Sequence, residues 1–107
     1  MTRTIEIPRE DLAILRAILS RHLSADVCVW VFGSRATGTA RRYSDLDLAL
    51  EGPGPLDHDT LGQLADALSE SDLTIKVDIV DLRMLDPMFR QMVEDHMISL
   101  QFHIQAC

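Results

Sequence analysis

The chain has 107 residues, and its 47% hydrophobic content suffices for one compact core but leaves no room for two domains, so residues 1–107 are predicted to form one domain. A formal net charge of −7, from 17 acidic and 10 basic residues, would repel a phosphate backbone and disfavours direct binding of a long nucleic acid. Neither a secretory leader pattern nor a bilayer-length apolar stretch is present in the sequence, so the expected location is the cytosol, away from membranes.

The first half of the chain predicts one long helix and two strands. After a short extended segment over residues 4–7, Pro8 suits the first turn of a helix, and apolar residues at helical spacing continue it to Leu23. The continuous apolar run over residues 27–32 is typical of a central strand covered on both faces, and Gly33 ends it. A second strand is predicted over residues 46–50, before the breaker cluster at 52–55.

The second half predicts two more helices around a third strand. A helix over residues 56–68 has Asp57 or Asp59 as its N-terminal cap. The third strand is expected over residues 75–82 and the last helix over residues 87–95, and the tail at 97–104 is interpreted as a further edge strand. The order of these elements predicts the α/β class, with a small mixed β-sheet flanked by helices.

A glycine and a serine directly follow the first strand and predict a phosphate site. Ser34 is expected to cap a short helix whose backbone N–H groups suit a triphosphate, and Gly33 lets the phosphates approach closely. The basic residues Arg35, Arg41 and Arg42 are expected to form a solvated rim. The candidate nucleotide-binding residues are Gly33, Ser34, Arg35, Arg42 and Ser44.

Three aspartates predict a metal site. Asp45 and Asp47 stand two residues apart on the predicted second strand, so both carboxylates project from one face and repel each other unless a cation lies between them. Hard oxygen ligands favour Mg²⁺. Asp78, inside an apolar strand, would complete a site for two Mg²⁺ ions, and Asp81 is the alternative if the strand register differs. Asp45, Asp47 and Asp78 are therefore the candidate catalytic and metal-binding residues.

Together, Gly33-Ser34, the loop, Asp45-x-Asp47 and the later Asp78 resemble the motif of the DNA polymerase β-like nucleotidyltransferases. The run Gly-Ser-Arg-Ala-Thr-Gly and the short chain look most like the minimal nucleotidyltransferase (MNT) family. This resemblance implies a polymerase β-like nucleotidyltransferase fold that uses ATP and Mg²⁺. MNT proteins are typically antitoxins that transfer AMP to a tyrosine of a HEPN-type ribonuclease toxin, so it also implies a protein adenylyltransferase with a HEPN toxin as partner, through which any oligomer would form.

Two other functions stay open. One is an antitoxin that neutralises its toxin by binding alone, and the other is a nucleotidyltransferase that acts on a small molecule or an RNA end. The sequence fixes neither the acceptor, nor the choice of ATP over other nucleotides, nor the oligomeric state. Methionines at positions 84, 88, 92 and 97 have partly helical spacing, which is interpreted as core filling, with a partner-binding face as the alternative.

Overall fold

The computed structural model describes residues 5–42 and 44–100, which form a four-stranded mixed sheet with helices on both faces. The predicted α/β class is confirmed. The helices are α1 (Arg9–His22), α2 (Ser34–Thr37), α3 (His58–Ser69) and α4 (Pro87–His96). The strands are β1 (Cys28–Phe32), β2 (Leu46–Glu51), β3 (Val77–Asp81) and β4 (Ile98–Leu100).

The sheet has the strand order β3-β2-β1-β4. Strand β1 pairs antiparallel with β2 and β4, whereas β3 runs parallel to β2, so the predicted central position of β1 is confirmed. The predicted tail supplies the edge strand β4, and the rest of that tail, residues 101–104, lies outside the described residues, as does Thr4 at the other end. Strand β3 is shorter than predicted at both ends: residues 75 and 76 precede it, and Leu82 begins a 3₁₀ helix, Leu82–Met84.

One face of the sheet carries the main hydrophobic core against α1 and α3. Alternate residues of β1 and β2 point to this face, and leucines at helical spacing on α1 and α3 cover them. Burial of these side chains is the main favourable contribution to folding, about 25 cal/mol per Å² of apolar area. The fully or nearly fully buried members include Leu15, Leu19, Val29, Val31, Leu46, Leu48, Leu50 and Leu64.

The opposite face carries a smaller cluster under α4. Val93 of α4 packs with Trp30, Phe32 and Ala49 of the strands. The Phe32 and Phe89 rings meet edge to face, with centroids 6.5 Å apart. None of the helices in the described part of the chain is both long and apolar enough to cross a membrane.

Aspartates fix the ends of several elements. Asp57 accepts a hydrogen bond from the Thr60 N–H, so it, and not Asp59, caps α3. The buried Asp11 carboxylate accepts hydrogen bonds from the Thr74 N–H at 3.2 Å and from the Thr74 hydroxyl at 2.5 Å. This contact ties α1 to the segment that leads into β3.

Replacing Asp11 with alanine is expected to lower the free energy of unfolding by about 2–3 kcal/mol, because the buried carboxylate and its two hydrogen bonds from Thr74 are lost. Urea denaturation measures the change. The neighbouring Glu10 is exposed, so Glu10→Ala is the control and should change stability by less than about 0.5 kcal/mol. Equal losses in the two variants would contradict the role assigned to Asp11.

Candidate active site

The strand register brings two of the predicted aspartates together. Asp47 lies opposite Phe32 of β1 and, on its other side, opposite Asp78 of β3. Neighbouring strands lie about 4.8 Å apart, and paired residues project to the same face, so the Asp47 and Asp78 side chains are neighbours. Asp45 stands one residue before β2, not on the strand as predicted, and its side chain is exposed.

The electrostatics of Asp47 show that all three carboxylates share one region. The pKa of Asp47 is raised above its ordinary value of 3.8, first by burial and then by the negative charges of Asp78 and Asp45. A cation placed among these groups would relieve both the repulsion and the cost of burial.

Gly33 lies directly against the Asp47 carboxylate. A Cβ atom at position 33 would stand 2.5 Å from Asp47 Oδ2, which is closer than any real contact of this kind. The backbone of Gly33 also has φ = 77°, a region that L side chains rarely adopt. Any side chain here would therefore displace the carboxylate, and this contact explains the glycine more directly than the predicted approach of phosphates.

The short helix α2 begins immediately after Gly33. Ser34 is its first residue, and Gly33 takes the capping position, so the prediction that Ser34 caps this helix is wrong by one residue. The amides of Ala36 and Thr37 donate back to the Gly33 carbonyl at 3.0 and 3.2 Å. The first amides of such a turn have no acceptor within the helix, which agrees with a role in binding an anion.

Arg35 does not belong to a solvated basic rim, and that prediction is wrong. Its side chain is buried, and its guanidinium donates to the carbonyls of Glu6 at 2.6 Å and of Ser44 at 2.9 and 3.0 Å. Longer hydrogen bonds reach the carbonyls of Arg41 and Arg42. The three nitrogen atoms of the planar guanidinium thus make five hydrogen bonds, which join the loop before Asp45 to the N-terminal segment and face backbone carbonyls instead of the open side of the site.

Ser44 helps to close the same loop. Its Oγ accepts a hydrogen bond from the Arg41 N–H at 2.8 Å, and its own N–H donates to the Arg41 carbonyl at 3.0 Å. Arg41 and Arg42 are exposed, as predicted for a rim. A nucleotide contact by Ser44 or Arg42 stays a prediction.

A salt bridge, which sequence reasoning did not foresee, joins Lys76 to Asp78, with 3.7 Å between Nζ and Oδ1. The two residues stand two positions apart at the start of β3, and that spacing was the available signal. Asp81, the alternative to Asp78, is buried and accepts from the amides of Leu56 and Arg83, so it is occupied elsewhere. Within residues 5–42 and 44–100, no three acidic, histidine or cysteine side chains are grouped tightly enough to hold a metal ion as they stand.

The three carboxylates nevertheless fit a hard cation by their chemistry. They supply only oxygen ligands, as Mg²⁺ prefers, and burial together with the negative charges of Asp78 and Asp45 raises the pKa of Asp47, which a bound cation would counter. Asp78 has a side chain 46% exposed, and exposed ion pairs such as its contact with Lys76 are weak.

An apolar groove opens beside Gly33, and no pattern in the sequence indicated it. It has a volume of about 200 Å³, and its lining combines the end of β1, α2 and one side of α4. A local sequence pattern could not predict this groove, because the elements that form it are far apart in the sequence. The lining residues are Phe32, Gly33, Thr37, Phe89, Met92, Val93 and His96.

Comparison with known proteins points to one family. Residues 15–101 match the family model described as polymerase beta, nucleotidyltransferase. The chain is 41% identical over 97 residues to a Haemophilus influenzae protein described as a probable protein adenylyltransferase, MntA, a match that spans 91% of this chain and 84% of the other.

Two solved structures extend the likeness to the fold. A crystal structure of a toxin–antitoxin pair with AMP-PNP matches with a TM-score of 0.68 and 29% identity over 82% of this chain and 70% of the other. A structure described as a minimal nucleotidyltransferase matches with a TM-score of 0.63 and 36% identity, over 86% and 91% of the two chains. The expected polymerase β-like fold is therefore confirmed.

Replacing Arg35 with alanine is expected to loosen the loop that precedes Asp45 and to cost about 3 kcal/mol of stability, because the hydrogen bonds of a buried guanidinium to the Glu6 and Ser44 carbonyls are lost. Hydrogen exchange at the Arg41 and Ser44 amides, which hold the loop turn, reports the loosening. Arg41→Ala removes an exposed arginine from the same loop and should leave both quantities near wild type. Unchanged exchange in Arg35→Ala would refute the anchoring role.

Stability without divalent cations is expected to depend on pH through Asp47. Because its folded-state pKa is raised, the folded protein holds this proton more tightly than the unfolded chain, and ionised Asp47 opposes folding above that pKa. Asp47→Asn should therefore be more stable than wild type at pH 7 in EDTA. The gain should fade as the pH drops through the folded-state pKa and vanish below 3.8.

Chemical denaturation at pH 7 and pH 3 measures the effect. Asp72→Asn is the matched control, because Asp72 is exposed and far along the chain from these carboxylates. A gain of the same size at both pH values would mean that the asparagine of Asp47→Asn stabilises by packing and not by removing a charge.

Proposed function

Since this chain belongs to the polymerase beta nucleotidyltransferase family, we propose that it is a protein adenylyltransferase that transfers AMP from ATP to a hydroxyl group of a partner protein. The observation that carries the proposal is the placement of Asp47 between Gly33 and Asp78. It sets a carboxylate cluster beside the start of α2, where a triphosphate and its cation would be expected to meet.

The proposal gives each site residue a role. Asp45, Asp47 and Asp78 would hold Mg²⁺, which when bound neutralises charge on the triphosphate and supports attack at its α-phosphorus. Gly33 leaves room for the Asp47 carboxylate, and the amides at the start of α2, with Ser34, contact the triphosphate. Arg35 acts indirectly, by holding the loop that carries Asp45.

In the transfer step, the acceptor oxygen forms a bond to the α-phosphorus, and the bond from that phosphorus to the bridging oxygen of pyrophosphate breaks. The pyrophosphate leaves with the electron pair of that bond. The hydroxyl proton passes to a nearby carboxylate, for which Asp78 is suited because it is partly exposed and directly beside Asp47. Most of the catalysis is then positioning and charge neutralisation.

The acceptor is proposed to be a tyrosine of a HEPN toxin. Support comes from the MntA relative, described as an adenylyltransferase, and from the related toxin–antitoxin pair with AMP-PNP. The acidic surface of this chain, with a net charge of −7, also suits a protein acceptor better than a nucleic acid.

Incubation with α-labelled ATP, Mg²⁺ and the cognate HEPN toxin is expected to label the toxin on tyrosine, with mass spectrometry identifying the residue. Asp47→Asn should reduce the initial rate at least about 100-fold, because the central cation ligand is lost, and EDTA should abolish transfer. Asp72→Asn, at an exposed position outside the site, should keep the wild-type rate.

Two results would contradict the proposal. Label on the toxin that persists in Asp47→Asn and in EDTA would place the chemistry elsewhere. Neutralisation of the toxin by Asp47→Asn as complete as by wild type, with no label in either case, would identify an antitoxin that acts by binding alone.

A further inference from the structure

The large hydrophobic side chains that are exposed in the described part of the chain all fall within nine residues. Met84, Met88, Phe89 and Met92 are 69%, 79%, 40% and 63% exposed, respectively, and they form what we call the methionine patch. Core filling, the interpretation preferred from the sequence, is therefore wrong for these three methionines and holds only for Met97, which packs under α4. Exposed apolar clusters of this kind are typical of interaction surfaces.

The methionine patch is continuous with the proposed transfer site. Phe89 and Met92 belong both to the patch and to the wall of the groove that reaches Gly33. Gly33 in turn contacts the Asp47 carboxylate. Phe89 and Met92 thus connect the methionine patch to a groove that reaches Gly33, beside the carboxylate cluster.

Charged residues of both signs lie beside this surface: Arg83 and Arg90 stand among the acids, and Arg90 forms salt bridges with Glu94 and Glu51. Asp86 precedes α4, and Glu94 and Asp95 lie in its last turn, all exposed. Two copies of a chain with net charge −7 repel each other, as do this chain and an anionic lipid surface. A partner with a basic rim around an apolar or aromatic centre is favoured instead.

We propose that the methionine patch is the docking surface for the acceptor protein, and that it binds an apolar segment of that protein so that the acceptor hydroxyl reaches Asp47 and Asp78. This inference rests on the proposed function. Methionine side chains are flexible and polarisable, so they adapt to an uneven apolar partner surface. The net negative charge of the chain favours a basic rim on that protein.

The test uses the full chain and the cognate HEPN toxin. Met84→Lys/Met88→Lys is expected to weaken toxin binding at least tenfold by calorimetry and to raise KM for the toxin by a similar factor, with kcat unchanged. Binding of AMP-PNP with Mg²⁺ should stay at the wild-type value, because neither methionine belongs to the proposed nucleotide site at the carboxylates and the start of α2. Met88→Leu, which keeps an apolar side chain at this position, should bind the toxin as tightly as wild type.

Gln63→Lys is the matched control, because it adds a lysine at an exposed position of α3, which packs on the other face of the sheet. Wild-type toxin affinity in Met84→Lys/Met88→Lys, or an equal loss in Gln63→Lys, would overturn the docking site. Loss of a homodimer in sedimentation velocity with unchanged toxin binding would also overturn it, because the patch would then bind a second copy.

Failure of docking and failure of AMP transfer have different signatures. Asp47→Asn keeps the patch and should bind the toxin as tightly as wild type while transferring no AMP. Toxin binding that depends on the patch, without any labelling by wild type, supports the docking site and removes the proposed transfer. Labelling of the toxin together with an unchanged KM for the toxin in Met84→Lys/Met88→Lys supports the proposed transfer and removes the docking site.

Discussion

Backbone pairing holds the Asp47 and Asp78 carboxylates side by side against their mutual repulsion, and the rest of the site depends on this constraint. The free energy that offsets this repulsion comes from hydrophobic burial on the other face of the sheet, where Leu46 and Leu48 are fully buried. A register shift of one residue would turn the aspartate into that core and expose the leucine. The hydrophobic core therefore fixes the position of the charged groups, although it does not touch a substrate.

The two faces of the sheet have different roles: one packs the main hydrophobic core, and the other carries the candidate site. Helices α1 and α3 cover one face fully, whereas α4 covers only part of the other and leaves the carboxylate cluster beside it open. Asp45 lies in a loop without regular secondary structure, and such a segment needs an anchor to keep a ligand in place. The buried Arg35 guanidinium is that anchor, since it binds loop carbonyls on one side and the Glu6 carbonyl on the other.

Sequence patterns that span only a few residues predicted most of the fold and the proximity of Gly33, Asp47 and Asp78 in the candidate site. The class, the central strand, the Gly33 turn and the choice of Asp78 over Asp81 follow from local periodicity and breakers. The role of Arg35 escaped prediction because its partners are backbone carbonyls at positions 6, 41, 42 and 44, which the tertiary structure brings together. The exposure of the methionines was not predicted for a similar reason. Helical spacing indicates that apolar side chains share one face of a helix, but it does not show whether another element covers that face.

The contact between Lys76 and Asp78 offsets the negative charge of the cluster only weakly. A strong, buried counter-ion would neutralise the carboxylates permanently and compete with any metal. Lys76 is instead 71% exposed and 3.7 Å from Asp78, so water screens the pair and little energy is needed to separate it. Asp47 is more enclosed, and its pKa is raised first by burial and then by repulsion from Asp78 and Asp45. The fold thus tolerates an electrostatic cost at the place where a divalent cation with its nucleotide would remove it, which couples occupation of the site to stability.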